Sequence, residues 1–195
     1  MPLPPPTILV CCIGNTCRSP AFAAIYNAEA TARGVSSRAI SAGLRASRTI
    51  AEWEASDHAA ELRAYMVRAL EEHPATRSFP VAAREAAAHR ARSVLDLGEV
   101  NASCVVLLPR ADEVASARAA NGAIDDWCAR QVRTQVAEVD DIGWYAWRDS
   151  ATRDGSDPVV RASYLEQTGH LHAQVLMVLG AATSRASSRG RRRVR

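Results

Sequence analysis

Cys12 and Arg18 stand six positions apart, with Ile13, Gly14, Asn15, Thr16 and Cys17 between them. A thiol and a guanidinium at this spacing, on a loop small enough to fold around one anion, are the parts needed for covalent chemistry on a phosphoryl group. The thiolate is the attacking species. A free cysteine of pKa ~8.5 is only a few per cent ionised at neutral pH, and a helix N-terminus or a nearby cation lowers that value. The planar guanidinium of Arg18 grips two oxygens of a tetrahedral oxyanion, and backbone N–H groups left over at a helix start complete the cradle. Two buried cysteines beside an incidental arginine would explain the pattern less well, since an arginine at a helix mouth has no apolar packing role.

The elements that must position these groups lie on either side. Ile8, Leu9 and Val10 make a short buried strand leading into the loop. Ser19-Pro20 reads as an N-cap hydroxyl followed by proline at the first helical position. Phe22, Ile25, Tyr26 and Ala30 then recur at helical spacing until Gly34, so a first helix is expected to about Arg33. Cys11 is the rival nucleophile, but it lies one residue too early for a loop of five residues ending at Arg18 and is expected to face the core.

Further along, Ile40 to Ala42 reads as a second strand, and residues 50–72 are helix-rich with Trp53, Leu62, Met66 and Leu70 on a partial apolar stripe. Arg84 to Leu97 is expected to be one helix, Cys104 to Leu108 a central parallel strand, Ala111 to Ala120 a helix, and Gln135 to Val139 a fourth strand. A final helix runs over Tyr164 to Leu179 with Tyr164, Leu171, Val175 and Val178 on one face. The alternation implies a single doubly wound α/β domain: a four-stranded parallel sheet flanked by helices on both faces. The domain is expected over residues 1–182, followed by a disordered arginine-rich tail over 183–195.

Bulk properties narrow the function classes. All 24 basic residues are arginine, which excludes the lysine-dependent phosphate loop of nucleotide-binding proteins. Six of those arginines fall in Ser184 to Arg195, so the net +3 of the whole chain turns negative once they are set aside. A solvated tail is the favoured reading of that run, ahead of nucleic-acid contact. Five cysteines, three of them at positions 11, 12 and 17, do not make a secreted disulfide framework, and the expected compartment is the cytoplasm. No stretch approaches the ~20 apolar residues of a membrane span, and neither a membrane partner, a metal nor a cofactor is expected. The oligomeric state is left open.

The run Cys12-Ile13-Gly14-Asn15-Thr16-Cys17-Arg18-Ser19-Pro20 resembles the signature C-x-G-N-x-C-R-S-P of the low-molecular-weight protein tyrosine phosphatases. The resemblance implies hydrolysis of phosphate monoesters, protein phosphotyrosine first among them, through a phosphocysteine on Cys12, with Ile13 to Arg18 binding the phosphate. It implies that Ser19 bonds the sulfur and improves it as a leaving group. Ser41-Ala42-Gly43 resembles the family's S-A-G element, which implies a polar link between Ser41 and Asn15 and, because the family usually has much less before its next helix, a helical insertion at about residues 50–74 after the second strand. His89-Arg90-Ala91-Arg92 resembles a helix start, H-x-A-R, whose histidine supports the loop. Asp157-Pro158 resembles the family's D-P element and makes Asp157 the general acid, with Asp149 as the alternative. Cys12 with Cys17 is implied as a reversible redox pair.

Substrate choice rests on departures from the family pattern. Val159 and Val160 stand where aromatic residues usually follow D-P, Pro109-Arg110 replaces an M-D pair, and Trp53, Trp144, Tyr145 or Trp147 would have to supply an aromatic wall. Thr16 occurs in the family's protein-arginine phosphatases, so phosphoarginine or a small phosphate ester is the alternative substrate. Arsenate reductases share the fold but need two further cysteines in one mobile segment, which Cys104 and Cys128 do not supply. A non-catalytic phospho-binding or redox-sensing role is the remaining reading. It leaves the nucleophile, arginine and candidate acid without a purpose.

Overall fold

The computed structural model describes residues 7–97, 102–109, 111–130, 135–138 and 158–192. The apolar run becomes strand β1, Thr7–Cys12, which is parallel to β2, Arg38–Gly43, on one side and to β3, Ala102–Leu107, on the other. A short strand β4, Gln135–Glu138, is parallel to β3, so the sheet order is β2-β1-β3-β4. The chain leaves β1 toward β2 and later returns on the opposite side as β3. The loop after β1 therefore sits at a topological switch point, at the carboxyl ends of the strands, where open parallel sheets bind ligands.

Alternation along β1 decides which face each residue serves. Ile8, Val10 and Cys12 point to one core with Phe22, Ile25 and Tyr26 of helix α1, Arg18–Ala32. That layer is completed by α3, Asp57–Glu72, α4, Pro80–Ala88, and α7, Pro158–Arg192. Leu9 and Cys11 point to the other core, with Ala42, Leu44, Val94, Ile124 and Trp127, under α5, Ala111–Ala120, and α6, Gly122–Arg130. Cys11 thus faces the core, as its spacing predicted.

Three sequence expectations need correction. Helix α1 starts at Arg18, with Cys17 as the flanking residue and no side-chain cap, so Ser19 is inside the first turn and its hydroxyl is used elsewhere. The helix expected over Arg84 to Leu97 is two different things. Proline at its first turn starts α4 at Pro80, and the helix ends where His89 turns extended with ψ 140. Ser93 then forms a lone bridge with Gly43 and a capping box with Asp96 around a short 3-10 turn, Val94–Asp96. The alanine-rich composition suited a longer helix, but the backbone of residues 89–93 is held by the loop instead. Finally, α7 continues through Arg192, where a disordered tail was expected from residue 183. Alanine and arginine are strong helix formers and carry the pattern past the serines.

The segment read as an insertion forms two helices, α2, Ser47–Glu54, and α3. Ser56 joins them, capping α3 by accepting the Ala59 N–H at 3.2 Å. Met66, Ala69 and Leu70 of α3 are buried, and Tyr65 lies against Tyr164 of α7 with ring centroids 5.4 Å apart. Of the apolar face expected on α7, Tyr164, Leu171 and Val175 are buried, Val178 is partly buried, and Leu179 joins the buried set.

Candidate active site

The loop from Ile13 to Cys17 turns between β1 and α1 so that the helix start points its spare N–H groups at one spot. Asn15 adopts a left-handed backbone, φ 55, which asparagine tolerates better than most residues. This fold-back brings the Asn15 N–H to the Cys12 sulfur at 3.2 Å. Ser19 Oγ reaches the same sulfur at 3.0 Å from inside the first turn of α1. Asn15 Nδ2 donates to Ser19 Oγ at 2.9 Å, so the serine hydrogen is shared between the nearby sulfur and the more distant Ala42 carbonyl at 3.5 Å. Cys12 thus sits beneath a directed set of donors.

The carbonyl of Asn15 is held from across the chain. His89 Nε2 lies 2.9 Å from Oδ1, and the Arg92 N–H donates to the same oxygen at 3.0 Å. His89 therefore supports the loop. Ser41 is buried at the end of β2, but among the described residues it makes no hydrogen bond to Asn15; its backbone carbonyl accepts Arg92 Nε at 3.1 Å. Gly43 explains the rest of the Ser41-Ala42-Gly43 element. A Cβ there would stand 2.8 Å from the Ile13 carbonyl and 2.6 Å from Ile50 Cδ1, so glycine lets β2 and α2 press against the loop.

The neighbouring thiols differ from Cys12 in their surroundings. Burial, with Cys12 nearby, pushes the Cys17 thiol up to about 12, and burial raises Cys11 well above its ordinary value. Both are held as neutral thiols, which leaves Cys12 as the sulfur with donors around it. Burial beside Arg92 and Arg63 lowers His89 to about 4, so its ring is neutral at pH 7. Arg18 Nη1 lies 3.6 Å from Glu113 Oε2 of α5, on the rim opposite α2. A cavity of about 470 Å³ opens beside this pair, between Arg45 and Thr49 on one wall and Asp112 and Ser116 on the other, with Ile13 at its edge.

Trp53, Glu54 and Arg63 are close to the loop, and only the first was considered from sequence. The Trp53 indole N–H donates to Thr16 Oγ1 at 2.9 Å. Glu54 accepts the Ala91 N–H at 2.8 Å and pairs with Arg63 Nη2 at 2.7 Å, which ties α2 and α3 to the segment bearing His89. Sequence carried no signal for Glu54 or Arg63, because an acid and a base nine positions apart on two helices look like any solvated pair. Val160 is buried in the core beneath α7, so it does not line the mouth. Asp157, Asp149, Trp144, Tyr145, Trp147 and Arg110 lie outside the described residues. Among the described residues no group of three or more His, Cys, Asp or Glu gathers as a metal site, and no helix is long and apolar enough to cross a membrane.

A parallel α/β sheet with a cysteine and an arginine flanking an anion loop at its switch point defines a cysteine-dependent phosphatase. The low molecular weight phosphotyrosine protein phosphatase family model matches residues 7–108, and the chain belongs to that family. Among curated proteins none matches the sequence. Among solved structures, a low molecular weight protein tyrosine phosphatase from T. tengcongensis is 21% identical, with a TM-score of 0.51 over 90% of this chain and 99% of that one. Wzb of Vibrio vulnificus, in complex with benzylphosphonate, is 14% identical with a TM-score of 0.48, covering 92% of this chain and 98% of that one. The YwlE arginine phosphatase from Geobacillus stearothermophilus is 19% identical with a TM-score of 0.41, covering 92% and 97% respectively. The likeness to the first of these is one of fold.

Proposed function

We propose that the protein hydrolyses phosphate monoesters, with protein phosphotyrosine as the substrate, through a phosphocysteine on Cys12. The observation that supports this most is the convergence of the Asn15 N–H and the Ser19 hydroxyl on the Cys12 sulfur, at 3.2 and 3.0 Å. In the first step the thiolate attacks phosphorus and an S–P bond forms while the P–O bond to the leaving group breaks. Arg18 and the loop N–H groups hold the phosphoryl oxygens as charge redistributes over them. The leaving oxygen takes its proton from Asp157, the residue before the first residue of α7. In the second step water attacks phosphorus, Asp157 takes its proton, and the S–P bond breaks to return Cys12 as thiolate with the Ser19 hydroxyl beside it.

A Cys12→Ser variant is expected to lose at least about a thousandfold in turnover of an aryl phosphate; undiminished activity would overturn the assignment. Asp157→Asn is expected to slow esters with poor leaving groups far more than activated ones, while Asp149→Asn leaves that ratio unchanged. A second reading, phosphoarginine as substrate, rests on threonine at position 16. Side-by-side rates on phosphotyrosine, phosphoarginine and small phosphate esters decide between them. Further proposals on this scaffold are a domain over residues 1–182 with its helical insertion after β2, and a reversible disulfide between Cys12 and Cys17, formed when a peroxide takes two electrons and two protons from the thiols and leaves as water, and reduced again by an external dithiol.

A further inference from the structure

Trp53 ends α2 against the outer side of the phosphate loop. Its ring covers Gly14 so closely that a Cβ there would lie 3.3 Å from Nε1, and its N–H donates to Thr16 Oγ1 at 2.9 Å. Thr16 passes its own hydroxyl hydrogen to the Gly14 carbonyl at 3.3 Å. A hydroxyl has one hydrogen to give, and Thr16 gives it to the loop itself. The indole is itself fixed. It meets the His58 ring edge-on, with centroids 5.5 Å apart, and the Trp53 carbonyl accepts the Ser56 hydroxyl at 2.6 Å. The adjacent Glu54 is anchored to the Ala91 N–H and to Arg63.

We infer that Trp53 is a positioning residue of the phosphate loop, acting through Thr16. The inference rests on the reading of the Cys12 loop as a phosphate site. The loop contains a left-handed non-glycine residue, Asn15, a conformation that persists only when its surroundings hold it. The inner side is held by His89 and Ser19, and Trp53 holds the outer side. A loop that must be ordered by its anion binds that anion more weakly, in proportion to the fraction of time it is preformed.

The test measures inorganic phosphate binding by calorimetry, alongside kcat and KM on an aryl phosphate, for the wild type, Trp53→Phe, Thr16→Val, Thr16→Ser and the Trp53→Phe/Thr16→Val pair. Trp53→Phe and Thr16→Val are each expected to weaken phosphate binding and raise KM by a common factor of about three to ten, with kcat held within about twofold. Thr16→Ser keeps the hydroxyl and binds like the wild type. The paired variant is no weaker than the weaker single one, because both remove the same bond. Additive losses, or wild-type phosphate affinity in Trp53→Phe, overturns the inference. Phosphate binding needs no turnover, so activity surviving in Cys12→Ser would strike the phosphatase reading and leave this one standing.

Discussion

His89 Nε2 donates its hydrogen to Asn15 Oδ1 across 2.9 Å, joining residues 74 positions apart. The direction follows from the neighbours. Asn15 spends its amide hydrogens on Ser19 Oγ, and its oxygen already accepts the Arg92 N–H, so the ring nitrogen must carry the proton. The neutral Nε2–H tautomer is the form the site requires.

That requirement has a signature in pH. The folded protein lowers His89 from 6.5 to about 4, chiefly by burial and then by Arg92 and Arg63. Between those values the unfolded chain binds a proton that the folded chain refuses, so stability is full above pH 6.5 and falls as pH drops toward 4. His89→Gln keeps an N–H donor but has nothing to titrate. Chemical denaturation at a series of pH values is expected to show a smaller acid loss in the variant; parallel curves would remove His89 from the explanation.

Gly43→Ala tests how tightly β2 presses on the loop. The new methyl would meet the Ile13 carbonyl at 2.8 Å, a backbone atom that cannot swing aside, as well as Ile50 Cδ1 at 2.6 Å. A destabilisation of about 1–3 kcal/mol is expected, with a matching fall in melting temperature. Adding Ile50→Val is expected to recover only part of it, because the clash with the carbonyl remains.

The Arg18–Glu113 pair sets a carboxylate 3.6 Å from the guanidinium proposed to receive the phosphate. Glu113→Gln removes a charge that repels the incoming dianion. Phosphate inhibition is expected to tighten by roughly two- to fivefold at low ionic strength, the difference shrinking as salt screens this half-exposed group. Equal inhibition of both proteins at all salt concentrations would show that Glu113 has no hold on the site.

Ser19→Ala removes the hydroxyl 3.0 Å from the sulfur. Breakdown of the phosphocysteine is expected to slow by about tenfold while its formation is affected less, so rapid mixing would show a larger burst before a slower steady state. A uniform loss with no change in burst would place the hydroxyl in loop structure alone.

What the sequence disclosed follows the range of each interaction. Choosing Cys12 over Cys11 needed only the alternation of a strand and the length of a loop, both local. The link from His89 to Asn15 spans 74 positions and was legible only through a resemblance to H-x-A-R. That resemblance located the histidine but misplaced its backbone, since His89 ends α4 instead of opening a helix. Ser41 was assigned the side-chain bond that His89 and Arg92 make, because a serine beside a turn offers no clue to which of its atoms is used. Trp53 was legible as part of an apolar stripe and as a candidate aromatic wall. Its contact with Thr16 depends on where α2 comes to rest, which Ile50 beneath Gly43 decides.

The packing of α3 bears on how the molecule comes apart. Its buried side has Met66 and Leu70 in the same core as Phe22 of α1 and Leu171 of α7, and Arg63 on the same helix clasps the Glu54 that adjoins Trp53. The pair of helices touching the phosphate loop is therefore no detachable lid. Melting it would open the main core, so the domain and its phosphate grip should be lost in one cooperative transition, and a chain with residues 47–72 excised would forfeit its fold along with its catalyst.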